Sequence, residues 1–162
     1  MTPELLDPFS RHFWVTLLVA VACGAIIGLE RQLRGKPAGV RTAILICLST
    51  ALFVHLGRSV AAPGTDPTRV LSQVVTGVGF LGAGVMIARE GTVTGVTTAA
   101  VIWILAAIGA AIGLGYAPAA IALSLVAVGI LAGVEQLEAG VRFLRRGAHR
   151  RNGDSQTGDP DE

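Results

Sequence analysis

From Val70 to Ala88 the chain carries no charged residue, yet it holds Gln73 and four glycines, Gly77, Gly79, Gly82 and Gly84. In water such a helix would be poor, because each glycine costs roughly 1 kcal/mol relative to alanine. In lipid, small residues let helix backbones approach closely, and tight packing offsets that cost. The stretch therefore predicts a membrane helix that a neighbouring helix can touch. Asp66 and Pro67 read as its start, since an aspartate oxygen can cap free N–H groups and proline has no N–H to satisfy. Arg89 and Glu90 close it.

Four more runs are uncharged or nearly so: Phe13–Leu29, Val40–Leu56, Thr97–Gly115 and Ala117–Val134. Each approaches the ~20 residues that cross a bilayer core. With 52% hydrophobic residues, 15% charged and a mean hydropathy of +0.64, the composition is that of an integral membrane protein. The expected fold class is all-α, a polytopic bundle of five transmembrane helices over residues 1–137. The tail, 138–162, is basic and then acidic without apolar residues to build a core, which predicts disorder and no soluble C-terminal domain. The first run lacks a cleavage motif and is followed by further spans, so it reads as a retained helix. Of the 13 basic residues, three fall on the side of the N-terminus and ten on the side of the first loop, third loop and tail. The positive-inside rule then sets the N-terminus outside and the C-terminus in the cytoplasm.

That orientation gathers polar residues at two ends. Glu30, Arg41, Arg89, Glu90, Thr97 and Thr98 form the expected cytoplasmic cluster, with Glu30 and Arg41 facing each other across a short loop. Ionisable groups at such positions are expensive and usually have work, although a solvated ion pair worth at most ~1 kcal/mol is the plainer reading. Thr94, Thr97 or Thr98 can cap the fourth span. The first loop, glycine- and proline-rich and basic, suits anionic headgroups. The expected external cluster is Asp66, Arg69 and Gln73. Asp66 and Arg69 are three apart and can pair on one helix face. Gln73 lies one turn deeper and is expected to face inward, because hydrocarbon offers its amide no partner.

Glycine pairs spaced by four recur at Gly24 and Gly28, Gly109 and Gly113, and Gly129 and Gly133. All are expected to serve helix packing. In the third span Gly77 and Gly84 align on one stripe and Gly79 and Gly82 on another. Either these are packing seams or the helix is broken there, with free backbone groups lining a path, as in transporters. Cys23 and Cys47 lie within predicted spans and read as small packing residues. Neither a metal-ligand spacing nor a Ser/His, Asp/Asp or zinc constellation is present, so the expectations are no metal, no cofactor and no enzymatic activity. Nucleic-acid binding is not expected from arginines beside a membrane.

In order and at family-like spacing, GLER (28–31), PAGVRT (37–42), DPTR (66–69), QVVTGVGFLGAGVM (73–86) and GVTTAA (95–100) resemble the MgtC/SapB family of bacterial inner-membrane proteins, over roughly residues 20–115. The resemblance implies five helices with an external N-terminus and a link to adaptation to low magnesium and, in pathogens, survival inside phagocytes. It also implies a role in modulating the membrane ATP synthase in place of carrying Mg²⁺. Family-type polar positions correspond to Glu30, Arg41, Thr42, Asp66, Arg69, Gln73, Thr97 and Thr98. Two departures stand out. Ala43 occupies the place where members often have histidine after Arg-Thr, and a short tail stands where many continue into a soluble domain.

Two functional readings follow. One is a non-enzymatic modulator that binds another membrane complex through glycine-lined helix faces, with self-association as another use of those faces. The other is a small Mg²⁺ or proton transporter or channel, against which no charged residue sits at a midplane.

Overall fold

The computed structural model describes residues 7–62, 64, 66, 68–89 and 92–153. Helix α1 spans Arg11–Leu33, and Ser10 caps it, its hydroxyl oxygen accepting from the Phe13 N–H at 3.1 Å. Helix α2 spans Val40–Ser59, α3 Arg69–Val85, α4 Val96–Gly113 and α5 Ala117–Gly153. Between α3 and α4 lies a two-stranded antiparallel hairpin, β1 Ile87–Arg89 and β2 Thr92–Thr94, with Ala88 opposite Val93. The fold is helical, as expected. Among the described residues four helices are long and apolar enough to cross a membrane: α1, α2, α4 and the Ala117–Val134 part of α5. The run expected as the third span is the shorter helix α3, of 17 residues.

Glycines set how the helices meet. A Cβ placed at Gly24 would lie 2.7 Å from Ile44 Cα, and one at Gly28 would lie 2.5 Å from Val40 Cα. Backbone therefore rests on backbone where α1 meets α2, a contact that needs glycine on one side. Further along the same face of α2, helix α4 repeats the device. A Cβ at Gly109 would lie 2.5 Å from Cys47 O, and one at Gly113 the same distance from Ala51 O. Helix α2 thus meets both α1 and α4 along one face, whose buried residues are mostly small: Ala43, Cys47, Thr50, Ala51 and Val54. The Cys47 thiol donates to Leu105 O at 3.3 Å, and Cys23 is also buried and free. Leu105 and Ile108 of α4 are fully buried.

Helix α3 attaches by one edge. Val78 packs with Ile102 and Ala106 of α4, and a Cβ at Gly82 would make ordinary contact with Ala99 and Trp103. The helix runs unbroken from Arg69 to Val85, so Gly77–Gly84 do not interrupt it. The hairpin after it was not legible as such in AREGTVTGVTTAA. Gly95 completes the turn with φ of 88°, and a Cβ there would collide with Val85 O. Both conditions call for glycine.

By compactness the chain divides into Met1–Val128 and Gly129–Glu162. The first unit contains α1 to α4, the hairpin and the beginning of α5, where Ala120 and Ser124 are buried. The second begins with the remainder of α5, whose helical backbone continues through the basic stretch to Gly153. Residues 154–162 lie outside the described residues.

Candidate functional site

At the α1–α2 end, helix periodicity carries the buried stripe of α1 from Ala20 through Cys23, Gly24, Ile27 and Gly28 to Arg31. Arg31 is only 4% exposed. Its Nη2 donates to Thr98 Oγ1 at 2.7 Å and its Nε to Pro37 O at 3.2 Å. A buried guanidinium must be hydrogen-bonded, and these bonds tie the end of α1 to the loop and to the first turn of α4. Thr98, an expected site residue, is therefore buried and engaged, while Thr97 next to it is exposed. Neither caps α4, nor does Thr94: the N-cap position is Gly95, without a side-chain bond. The Thr94 hydroxyl donates instead to Ile87 O across the hairpin at 3.3 Å.

The Glu30–Arg41 pairing does not form. Glu30 Oε1 pairs with Arg34 Nε at 2.7 Å, one turn along the same helix, because the i,i+4 neighbour is within reach without bridging a loop. The Glu30 side chain is 10% exposed, and its Oε2 is buried without a hydrogen-bond partner. Arg41 and Thr42 are exposed on the first turn of α2. Arg89 lies in β1, and Glu90 lies outside the described residues. The residue that sequence reasoning missed is Arg31. Its signal was its place three residues after Gly28, on the glycine face of α1.

At the other end the expected pairing of Asp66 with Arg69 is replaced by a local turn. Asp66 Oδ1 accepts from the Thr68 N–H and from Thr68 Oγ1, each at 2.8 Å. These bonds hold the Asp66 carboxyl below its ordinary value, the backbone bond contributing most. The cap position of α3 is Thr68, without a side-chain cap bond, so Asp66 orders the approach to the helix and does not cap it. Gln73, expected to face inward, is exposed and lines an apolar groove of about 420 Å³ between α2 and α3, together with Ser49, Thr50 and Gly77. Among the described residues its amide has no hydrogen-bond partner.

The glycines separate into two sets. Gly24, Gly28, Gly109 and Gly113 are packing positions, and Gly82 is an ordinary contact. A Cβ at Gly77, Gly79, Gly84, Gly129 or Gly133 would meet nothing within 4 Å. On α3 this follows from its contact with α4 along the Val78–Gly82 edge, which leaves Gly77, Gly79 and Gly84 open. Trp103 is 45% exposed beside Gly82. No group of three or more His, Cys, Asp or Glu able to hold a metal ion occurs among the described residues.

Four helices long and apolar enough to cross a membrane define a multi-pass membrane protein. The model of the MgtC family matches residues 17–139, and the chain belongs to that family. It is 51% identical over 106 residues to an Escherichia coli (strain K12) protein named "Putative magnesium transporter YhiD", covering 61% of this chain and 49% of that one. It is 41% identical over 112 residues to protein MgtC of Salmonella typhimurium, covering 69% and 48%. With protein SrpB of Synechococcus elongatus it shares 46% over 112 residues, covering 61% and 62%. The chain thus spans about half the length of YhiD and MgtC. No solved structure matches it.

Proposed function

We propose that this chain is a non-enzymatic modulator in the bacterial inner membrane, active when magnesium is scarce, which docks onto another membrane complex. The observation that carries the reading is the set of open glycines, Gly77, Gly79 and Gly84 on α3 and Gly129 and Gly133 on α5. Small residues on a membrane helix matter where a second backbone comes close. The magnesium link is supported by the name of YhiD, and the ATP synthase as partner by the family resemblance. Five helices cross, N-terminus outside, as the count of basic residues suggests. Helix α3 is the short member, about 26 Å at 1.5 Å per residue, against a core of roughly 30 Å.

The test is in-membrane photo-cross-linking from probes at Gly84 and Gly133, in cells grown with and without magnesium limitation. A partner captured at low magnesium, and lost with Gly133→Leu, is the expected result. Cross-links only to copies of the chain would overturn the reading. One observation favours a transporter as second reading: the groove beside Gln73. Its lining contains no charged residue, and reconstituted protein that moves neither Mg²⁺ nor protons would end that reading.

A further inference from the structure

Helices α2 and α3 touch at one end and part below it. A Cβ at Gly57, near the end of α2, would collide with Val70 at the start of α3. Beneath that contact opens the groove of about 420 Å³, walled by Ile46 and Phe53 of α2 and by Val74 and Leu81 of α3. Its α3 side is graded. Arg69, Gln73, Gly77 and Leu81 follow at steps of four, so each is the neighbour of the next along the helix surface. They pass from a cation through an amide and an open hollow to an apolar side chain, and the last three line the groove. Arg69 is exposed at the first residue of α3. Among the described residues its guanidinium has no hydrogen bond or ion pair, and the Gln73 amide has no partner either.

We propose that this groove seats one phospholipid from the leaflet at the Arg69 end, with its phosphate on Arg69, an ester carbonyl accepting from the Gln73 amide, and an acyl chain running over Gly77 toward Leu81. The order of chemistry along α3 is the order along such a lipid: anion, hydrogen-bond acceptor, hydrocarbon. Depth agrees with it. Four residues of helix rise ~6 Å, and each headgroup layer is of that thickness, half the difference between a bilayer of ~40–45 Å and its core of ~30 Å. Arg69 therefore stands at the level of phosphates when Gln73 stands at the edge of the core. An amide donor at that edge needs an acceptor, which hydrocarbon lacks and an ester supplies. The volume is that of a small-molecule cleft, which runs from ~300 to 1,000 Å³, and no carboxylate lines it to bind a cation. Gly79 and Gly84 of α3 and the glycines of α5 are not part of the groove. The proposal thus goes beyond the partner-complex reading and does not depend on it.

The experiment is native mass spectrometry of the full chain, delipidated in detergent and titrated with dipalmitoyl phosphatidylglycerol. Dipalmitoylglycerol, which has the esters and chains but no phosphate, is the second probe. Wild type should take up one phosphatidylglycerol saturably and hold dipalmitoylglycerol more weakly. Arg69→Gln should weaken phosphatidylglycerol binding by roughly tenfold, the scale of one hydrogen bond to a charged group, and leave dipalmitoylglycerol unchanged. Gly77→Leu fills the groove and should weaken both probes, whereas Gly79→Leu, which is not part of it, should bind as wild type does. Helix content by circular dichroism should be the same in all four chains. If Gly77→Leu loses helix content, Arg69→Gln decides alone, since it changes one exposed side chain. Uptake without saturation, or none, overturns the proposal. So does a folded Gly77→Leu chain that binds like wild type, an equal loss with Gly79→Leu, or an Arg69→Gln chain that does not distinguish the two probes from wild type.

Discussion

At the scale of the residue, the most consequential side chain is Arg31. It is buried, and it bonds Thr98 and Pro37 O across three segments of chain. Thr98→Val keeps the shape but removes the acceptor, and should destabilise the protein by about 1–3 kcal/mol, the usual cost of an orphaned buried partner. Thr98→Ser should restore most of it, read as the thermal midpoint in detergent micelles. Asp66 makes a pH-dependent contribution whose sign is fixed. Its carboxyl lies below the ordinary value of 3.8 in the folded chain, so the stabilisation is complete above that value. It is lost as pH falls through the lowered folded value. Protection of the Thr68 amide, corrected for intrinsic exchange, should therefore drop in that acidic window, and Asp66→Ala should abolish the step. Much of this was within reach of the sequence. Glu30 and Thr98 are polar at the ends of apolar runs and Asp66 precedes a proline at a helix start, and those places marked them. Their partners were not legible, because Glu30 has Arg34 one turn away, which a search across the loop passes over.

At the scale of the element, glycine spacing predicted tight packing, and the structure divides that prediction by helix. Gly28→Leu and Gly109→Leu drive side-chain atoms into the backbone of α2, and each should cost about 1–3 kcal/mol or prevent folding. Gly77→Leu and Gly84→Leu meet open space in the monomer and should leave its thermal midpoint unchanged within error. Equal losses in both sets would contradict the division. The same small-residue pattern cannot tell an inner face from an outer one, since both permit close approach. Only the placement of α3, held along Val78 and Gly82, decides which glycines meet this chain's own helices. The hairpin was hidden for another reason: three residues per strand are too few for a periodicity to show. Its mark is Gly95, and Gly95→Ala should cost about 1–2 kcal/mol for the left-handed backbone alone, with further loss from the collision with Val85 O.

At the scale of the whole molecule, the helical membrane class follows from hydropathy, and the family from the series of motifs that the match over residues 17–139 now bears out. Composition drives the helices into lipid, and glycines on α1 and α4 bring both against one face of α2. What remains outward is a surface of small residues that lipid alone does not require. On the proposed account that surface works by contact with a partner and moves no ion. The most direct measurement is ATP-driven proton pumping in inverted membrane vesicles from cells lacking relatives of this chain, with and without the wild-type protein. Pumping should fall when the protein is present and recover with a folded Gly133→Leu variant. Identical pumping in all three preparations, with wild-type protein verified in the membrane, would contradict the account.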